Sequence, residues 1–299
     1  MSSTDRGADI VRRLVSLERI PMFAQLSPAV LYGLAERATV GTVLAGAPLG
    51  GGAALTFVPL GAPATGRAGA LDAHAPGLLE ALAGEPPPET LASGASTSIL
   101  RVETGDLHAI LEDEFSLFLA VARAVAGALV EATRAARGAS FGRPEAAAPT
   151  EGNLELIERV LCLRSTLPFA RHRVASLVQL ARLASEVRAD DGVELFRQSE
   201  AADGVLLPIE GVLRARVDGR DAFTLASGSV LPIVDAVTRQ PRWFSATTAG
   251  PTRALVIPIE RFVDVLEDQP ELARATLKSL SAECLRVRLL EAPPTSSRR

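Results

Sequence analysis

The chain has 299 residues, of which 47% are hydrophobic and 22% are charged, and its formal net charge at neutral pH is −4. This length exceeds what one hydrophobic core usually serves, so two domains are expected. The weak negative charge argues against electrostatic binding to nucleic acid or to an anionic membrane surface. The two cysteines, Cys162 and Cys284, lack metal-ligand spacing and indicate a reduced compartment.

The N-terminal residues are polar, and no apolar segment of the signal-peptide type follows them. A cytoplasmic protein is therefore expected. The most apolar stretch, residues 118–130, is too short to span a bilayer and is predicted to be a buried helix.

The chain contains an internal repeat. Phe23 and Phe169 lie in matching sequence contexts that are separated by 146 positions (169 − 23). A Leu-Glu-Asp motif at 111–113 recurs at 266–268, a separation of 155 (266 − 111). An ordered series of matches with a slowly growing separation indicates a duplicated domain with loop insertions in the second copy.

Each copy shows the same order of signals along the chain. A helix comes first, short apolar runs punctuated by glycine follow, and a long helix closes the copy. The predicted fold class is α+β, mainly β, with two jelly-roll or β-roll domains that are each flanked by an N-terminal helix and a long C-terminal helix. The predicted boundaries are 1–137 for the first domain, 138–152 for an Ala/Pro/Gly-rich linker, 153–290 for the second domain and 291–299 for a disordered tail.

The segment from Gly192 to Gly211 resembles the cyclic-nucleotide-binding domain family. Its glycine turn, the apolar pair Leu195-Phe196, the acidic loop at Asp203 and the closing glycine stand in the order that the family shows. The motifs Leu-Pro-Phe-Ala at 167–170 and Ile-Pro-Ile-Glu-Arg-Phe at 257–262 are similar to family motifs as well. The resemblance covers most of the second copy and, more faintly, the first. It implies a β-roll that holds a cyclic nucleotide in a phosphate-binding cassette.

In the family, this cassette has Gly-Glu before a short helix and Arg-Ser or Arg-Thr, then Ala, after it. The glutamate accepts from the ribose hydroxyl, and the arginine pairs with the cyclic phosphate. The corresponding residues of the second copy are Leu231, Pro232, Ile233, Arg242, Phe244, Ser245, Ala246 and Thr247. Pro232 and Ile233 replace the Gly-Glu pair, and Phe244 takes the arginine position. The resemblance thus implies a degenerate pocket with Ile233 and Phe244 in the core. The alternative is a rearranged cassette that uses Arg242, which lies two residues earlier.

The first copy departs further from the pattern. Glu80 is a possible remnant of the family's glutamate, but Pro86–Pro88 and Glu89 occupy the place of the arginine. A carboxylate there would repel a phosphate. No histidine of the chain has an acid or a cysteine at ligand spacing, so neither a catalytic residue nor a metal site is predicted.

The last helix carries an apolar seam at Leu277, Leu280, Cys284 and Val287, which recur at intervals of three and four. This seam predicts a homodimer interface or docking on the first copy's long helix, with packing on its own β-roll as the alternative. The short remainder of the sequence holds no DNA-binding segment. We expect a non-enzymatic regulatory or scaffolding protein that acts through protein–protein interaction, without a cofactor. The alternative is a genuine receptor for cyclic AMP or cyclic GMP.

Overall fold

The computed structural model describes residues 3–49, 54–59, 64–65, 70–86, 92–136, 138–143 and 152–291. The chain divides into two compact units, Met1–Ala128 and Leu129–Arg299. About 49% of the chain is helical and 24% is strand. The predicted α+β class is confirmed, with helix as the larger share.

The first unit combines helices with a small antiparallel sheet. Its helices are α1 (Ser3–Glu18), α2 (Pro28–Arg37), α3 (Ala70–His74), α4 (Leu78–Ala83), α5 (Thr104–Asp113) and α6 (Phe115–Ala135), which continues into the second unit. Its strands are β1 (Thr39–Val43), β2 (Ala54–Phe57), β3 (Ala64–Thr65), β4 (Ala92–Ser93) and β5 (Thr97–Glu103). The strands form a sheet of order β1-β5-β2 and a separate β3-β4 pair. Ser27 caps α2 by accepting from the Val30 N–H, as the Ser-Pro motif predicts.

The second unit is a β-roll of two sheets with helices at both ends. Its strands are β6 (Ala139–Phe141), β7 (Ser185–Ala189), β8 (Glu194–Phe196), β9 (Gly204–Glu210), β10 (Val212–Val217), β11 (Arg220–Ala226), β12 (Ser245–Thr248) and β13 (Thr252–Pro258). Its helices are α7 (Leu156–Ser165), α8 (Val174–Leu183), α9 (Ile233–Thr238), α10 (Ile259–Asp268) and α11 (Pro270–Glu291). The sheet orders are β6-β11-β10-β12-β8 and β7-β13-β9.

The sequence explains the tight turn between β9 and β10. Gly211 has a φ of +79°, and an added Cβ would lie 2.5 Å from the Pro251 carbonyl oxygen. Only glycine fits this position without moving the backbone. The turn keeps β9 in place beside β13, where the side chains from Val205 to Ile209 are all buried.

Part of the predicted linker is a strand of the second unit. Residues 139–141 form β6, which pairs in parallel with β11. The Gly138 N–H donates to the Ala222 carbonyl and the Arg143 N–H to the Ser227 carbonyl, both at 2.8 Å. The linker prediction is therefore wrong for residues 138–143, where Gly142 lies so close to the end of β11 that an added Cβ would be 2.5 Å from the Ala226 carbonyl oxygen. Residues 144–151 of the predicted linker and 292–299 of the predicted tail lie outside the described residues.

The apolar seam of α11 is buried within this chain. Leu277 is 2% exposed, and Leu280, Cys284 and Val287 are fully buried. Side chains at these positions are core residues, so the assignment of this face to a homodimer interface is wrong. The heptad spacing identified an apolar face, but such a face packs equally well inside a chain.

Helix α6 is longer than the predicted apolar stretch. It runs for 21 residues and is, by length and composition alone, able to cross a membrane. Half of its most apolar 18-residue window is nevertheless buried, and Leu117, Phe118 and Val125 are at most 1% exposed. The prediction of a buried helix is confirmed. The argument that the stretch is too short to span a bilayer is wrong, because the helix has 21 residues.

Candidate functional site

The predicted cassette of the second unit folds around the short helix α9. Pro232 precedes the helix, and Arg239 ends it in the left-handed conformation at a φ of +52°. Residues 233–237 are all buried, so this helix lies in the interior of the β-roll rather than on its surface. One of those five residues, Asp235, is an acid.

Arg242 points from the segment after α9 back toward that helix. Its Nη1 donates to Asp235 Oδ2 at 2.5 Å, and its Nη2 donates to the Gly204 carbonyl oxygen at 2.7 Å. Its guanidinium carbon lies 4.2 Å from the centre of the Phe196 ring. The exposed Asp203 carboxylate is 3.8 Å from Nη2. Arg242 is thus held on several sides while only 5% exposed.

The ion pair between Arg242 and Asp235 is removed from water. Asp235 is 1% exposed. Burial raises the pKa of Asp235, and the Arg242 guanidinium opposes that rise. Transfer of one charge into such a site is costly unless its partner is present, so each residue accounts for the burial of the other.

Aromatic rings fill the space beside this pair. Phe244 contacts the rings of Phe196, Phe223 and Trp243 at centroid distances of 5.0–5.1 Å. Tilted ring contacts at these distances add to the stability gained from area burial. Arg242 and Phe244 both contact the ring of Phe196.

The structure places the other predicted cassette residues in the core or in β12. Leu231 and Ile233 are fully buried, and Phe244 is 1% exposed. Ser245, Ala246 and Thr247 lie in β12 between β10 and β8. Ser245 Oγ accepts from the Gln198 N–H at 2.9 Å. The hydroxyl is thus engaged in holding the loop after β8.

Asp235 is the residue that the sequence analysis missed. A signal was present, because Asp235 is the single charged residue among the apolar residues Ile233, Val234, Ala236 and Val237. An acid in such a setting is rarely buried without a partner. Arg242, seven residues later, was available as that partner.

The corresponding part of the first unit is described only in part. Glu80 lies in α4, whose apolar residues Leu78, Leu79 and Leu82 are buried. Pro87, Pro88 and Glu89 lie outside the described residues. Within the part of the chain that the structure describes, no group of three or more His, Cys, Asp or Glu side chains is placed to hold a metal ion.

Comparison with known proteins returns solved structures alone. No protein-family model and no curated protein sequence matches the chain. The regulatory domain of Toxoplasma gondii PKA with cAMP has 13% identity and a TM-score of 0.35 over 88% of this chain and 95% of that one. A putative cyclic nucleotide-binding protein from Geobacter metallireducens has 21% identity and a TM-score of 0.38 over 42% and 95%. The sensor domain of the transcriptional regulator DNR from Pseudomonas aeruginosa has 22% identity and a TM-score of 0.38 over 41% and 91%.

These identities and TM-scores are low. The second unit has an N-terminal helix pair, two facing sheets, the inserted short helix α9 and the closing helices α10 and α11. This is the order predicted from the resemblance to cyclic-nucleotide-binding domains. The predicted β-roll is confirmed for the second unit; the described strands of the first unit form a three-stranded sheet and a two-stranded sheet.

Proposed function

We propose that this protein is a non-enzymatic regulatory or scaffolding protein that acts through protein–protein contacts, and that its second β-roll does not respond to cyclic nucleotides. The buried ion pair between Arg242 and Asp235 carries this proposal. Arg242, the buried arginine of the cassette, is already neutralised by the Asp235 carboxylate of the same chain. Ile233, at the position where the family has its ribose-binding glutamate, offers no hydrogen-bond acceptor on its side chain.

The magnitudes favour loss of nucleotide binding. A hydrogen bond to a charged group contributes about 1.5–3 kcal/mol, and a bidentate arginine–phosphate pair supplies two of them. Loss of this pair together with the ribose contact removes roughly 4–7 kcal/mol, which weakens a micromolar site about a thousandfold or more. A phosphate would in addition have to displace Asp235 or lie beside its charge.

A cyclic-nucleotide receptor that uses Arg242 is the second candidate, and one observation favours it. The guanidinium lies inside the β-roll against Phe196 rather than in solvent. Its Nε has no hydrogen-bond partner among the described residues. An anion able to replace Asp235 would then have a donor available. Cyclic AMP, which is named for three of the similar solved structures, is the ligand to test first.

Isothermal titration calorimetry of the full chain with cyclic AMP and cyclic GMP distinguishes the two. We expect no binding tighter than about 1 mM, and no difference between wild type and Arg242→Ala. Micromolar binding that is lost in Arg242→Ala would establish the receptor. Micromolar binding that survives in Arg242→Ala would place a nucleotide site elsewhere and would also overturn the proposal.

The variant Asp235→Asn tests the role of the carboxylate itself. It keeps the shape of the side chain but removes the charge that neutralises Arg242. We expect inorganic phosphate to raise the melting temperature of Asp235→Asn more than that of wild type, because ligand binding to the folded state stabilises it. An equal response of both proteins to phosphate would show that Asp235 does not stand in for an anion.

A further inference from the structure

Equivalent helices of the two repeats carry an uncovered apolar pair. Helix α1 has Val11 and Val15, and α7 has Ile157 and Leu161, each pair one helical turn apart. The separation is 146 positions for both members (157 − 11 and 161 − 15), the same as for the two phenylalanines that define the repeat. All four side chains are exposed. A single exposed apolar residue is ordinary, whereas the same pair at the same place in both repeats indicates a retained surface.

The pair is stronger on α7 than on α1. Ile157 is 72% exposed and Leu161 is 60% exposed. Leu156 at the start of α7 and Leu167, two residues beyond its end, are also exposed. The opposite side of α7 is anchored in the unit through the buried residues Val160 and Leu163. Helix α7 therefore packs by one face and presents a second apolar face outward.

The charges beside this face are self-complementary in one orientation. Arg164 is exposed and makes no ion pair with any described residue, and Glu158 lies six residues before it. Leu161 is the midpoint between the two. When a second copy of α7 is laid antiparallel across Leu161, Arg164 comes to lie opposite the partner's Glu158, and the pairing occurs twice by symmetry. A parallel arrangement would instead place like charges together.

The same arrangement also matches the apolar residues. Leu161 meets the partner's Leu161 at the two-fold axis. Ile157 lies one helical turn from that axis in each copy. Glu158 already accepts from the Glu155 N–H through Oε2, which leaves Oε1 for a second donor.

We propose that α7 is a self-association surface that binds α7 of a second copy of this chain in antiparallel orientation. The contact is closed by two-fold symmetry, so it makes a dimer and not a fibre. It is independent of the state of the cassette, since none of the residues of α7 contacts Asp235 or Arg242 among the interactions described above.

Sedimentation velocity of the full chain from about 1 to about 200 μM covers the range in which an ordinary protein interface is occupied. We expect a wild-type dimer and, for Leu161→Glu, a dissociation constant at least about a hundredfold higher, because each dimer loses two buried leucines and gains two buried charges. The matched control is Val15→Glu, the same change at the equivalent exposed position of the first repeat. We expect it to leave the dimer unchanged.

Charge reversal tests the orientation. Arg164→Glu and Glu158→Arg should each weaken the dimer about tenfold, and the double variant should restore it, because exposed ion pairs contribute modestly and this contact has two. Melting temperatures report any loss of helix capping at Glu158 separately from dimer mass.

Three results would overturn the proposal. If wild type is a monomer at every concentration tested, α7 is not a self-association surface. Equal weakening by Val15→Glu and Leu161→Glu would show that the contact is not specific to α7. A double charge variant that dimerises no better than either single variant excludes the antiparallel pairing.

Discussion

Removal of the Asp235 carboxylate leaves the Arg242 guanidinium buried without its counter-charge. Loss of one partner of a buried pair costs about 3–5 kcal/mol, whereas an apolar pair of similar volume is often neutral or stabilising. We therefore expect Asp235→Ala to lower the free energy of unfolding of the second unit by about that amount. The double variant Asp235→Leu/Arg242→Met should recover most of it. Urea denaturation of wild type, Asp235→Leu, Arg242→Met and the double variant gives the coupling energy, and additive losses would mean that the two residues act independently.

Glu186 links stability to pH. Burial raises the pKa of Glu186, but hydrogen bonds from Arg253, from the Leu154 N–H and from Arg188 outweigh burial and lower it to about 2, against an ordinary value of 4.5. A lowered folded-state pKa gives stability that is present above pH 4.5 and is lost as the pH falls toward 2.

The variant Glu186→Gln removes the titrating carboxylate. It should be less stable than wild type at pH 7, and the difference in free energy of unfolding should shrink as the pH falls from 4.5 toward 2. Urea denaturation at several pH values measures this difference. Glu267→Gln, at an exposed position, is the control and should change stability by less than about 0.5 kcal/mol. If the difference in free energy of unfolding between Glu186→Gln and wild type did not change with pH, the lowered pKa of Glu186 would not be its cause.

At the residue scale, sequence reasoning located the cassette but not its chemistry. It placed Ile233 and Phe244 in the core, and both are buried. It offered Arg242 only as the ligand residue of a rearranged cassette, whereas the side chain is an internal ion-pair partner. Family motifs describe what a ligand needs. They do not describe which side chain of the protein takes the place of a lost ligand. Here that side chain is Asp235, the single acid of the otherwise apolar start of α9.

Helix α11 gives a direct test at the scale of elements. Leu280 lies in the buried face, whereas Leu289 on the same helix is 75% exposed. Leu280→Glu should destabilise the second unit by more than about 3 kcal/mol, since it removes a packed side chain and buries a charge. Leu289→Glu should be nearly neutral. Thermal melting compares the two variants. If Leu280→Glu melted at the same temperature as wild type, this face of α11 would have to be exposed rather than buried.

Elements were predictable where a local signal fixes them. The Ser-Pro motif gave the start of α2, and the glycine after β9 marked a turn that no other residue fits. Strand β6 had no such signal, because three residues in a small-residue segment carry no periodicity. It is a strand because it pairs with the edge of β11 and because Phe141 packs against Phe223, with ring centroids 5.4 Å apart. Both partners are distant in sequence.

At the scale of the whole molecule, proteolysis tests the corrected boundary. The segment 144–152 has few groups to bury by composition, so we expect cleavage there and protection of 138–143. The nicked protein should elute as one species in size-exclusion chromatography, because β6 stays attached to the N-terminal fragment while it is paired with β11. Fragments that separate without denaturant would show that β6 contributes little to holding them.

The pairing of β6 with β11 also determines when the second sheet is completed during synthesis. Ala139 is opposite Phe223 in a parallel ladder, so the strand that covers the β11 edge leaves the ribosome long before the strand that it covers. Pairing over such a distance along the chain is slow to form, because the intervening segment must be ordered first. A nascent chain therefore holds β6 unpaired, with Phe141 uncovered, throughout translation of β7 to β10. An uncovered strand of this kind is a site for association between nascent chains on neighbouring ribosomes.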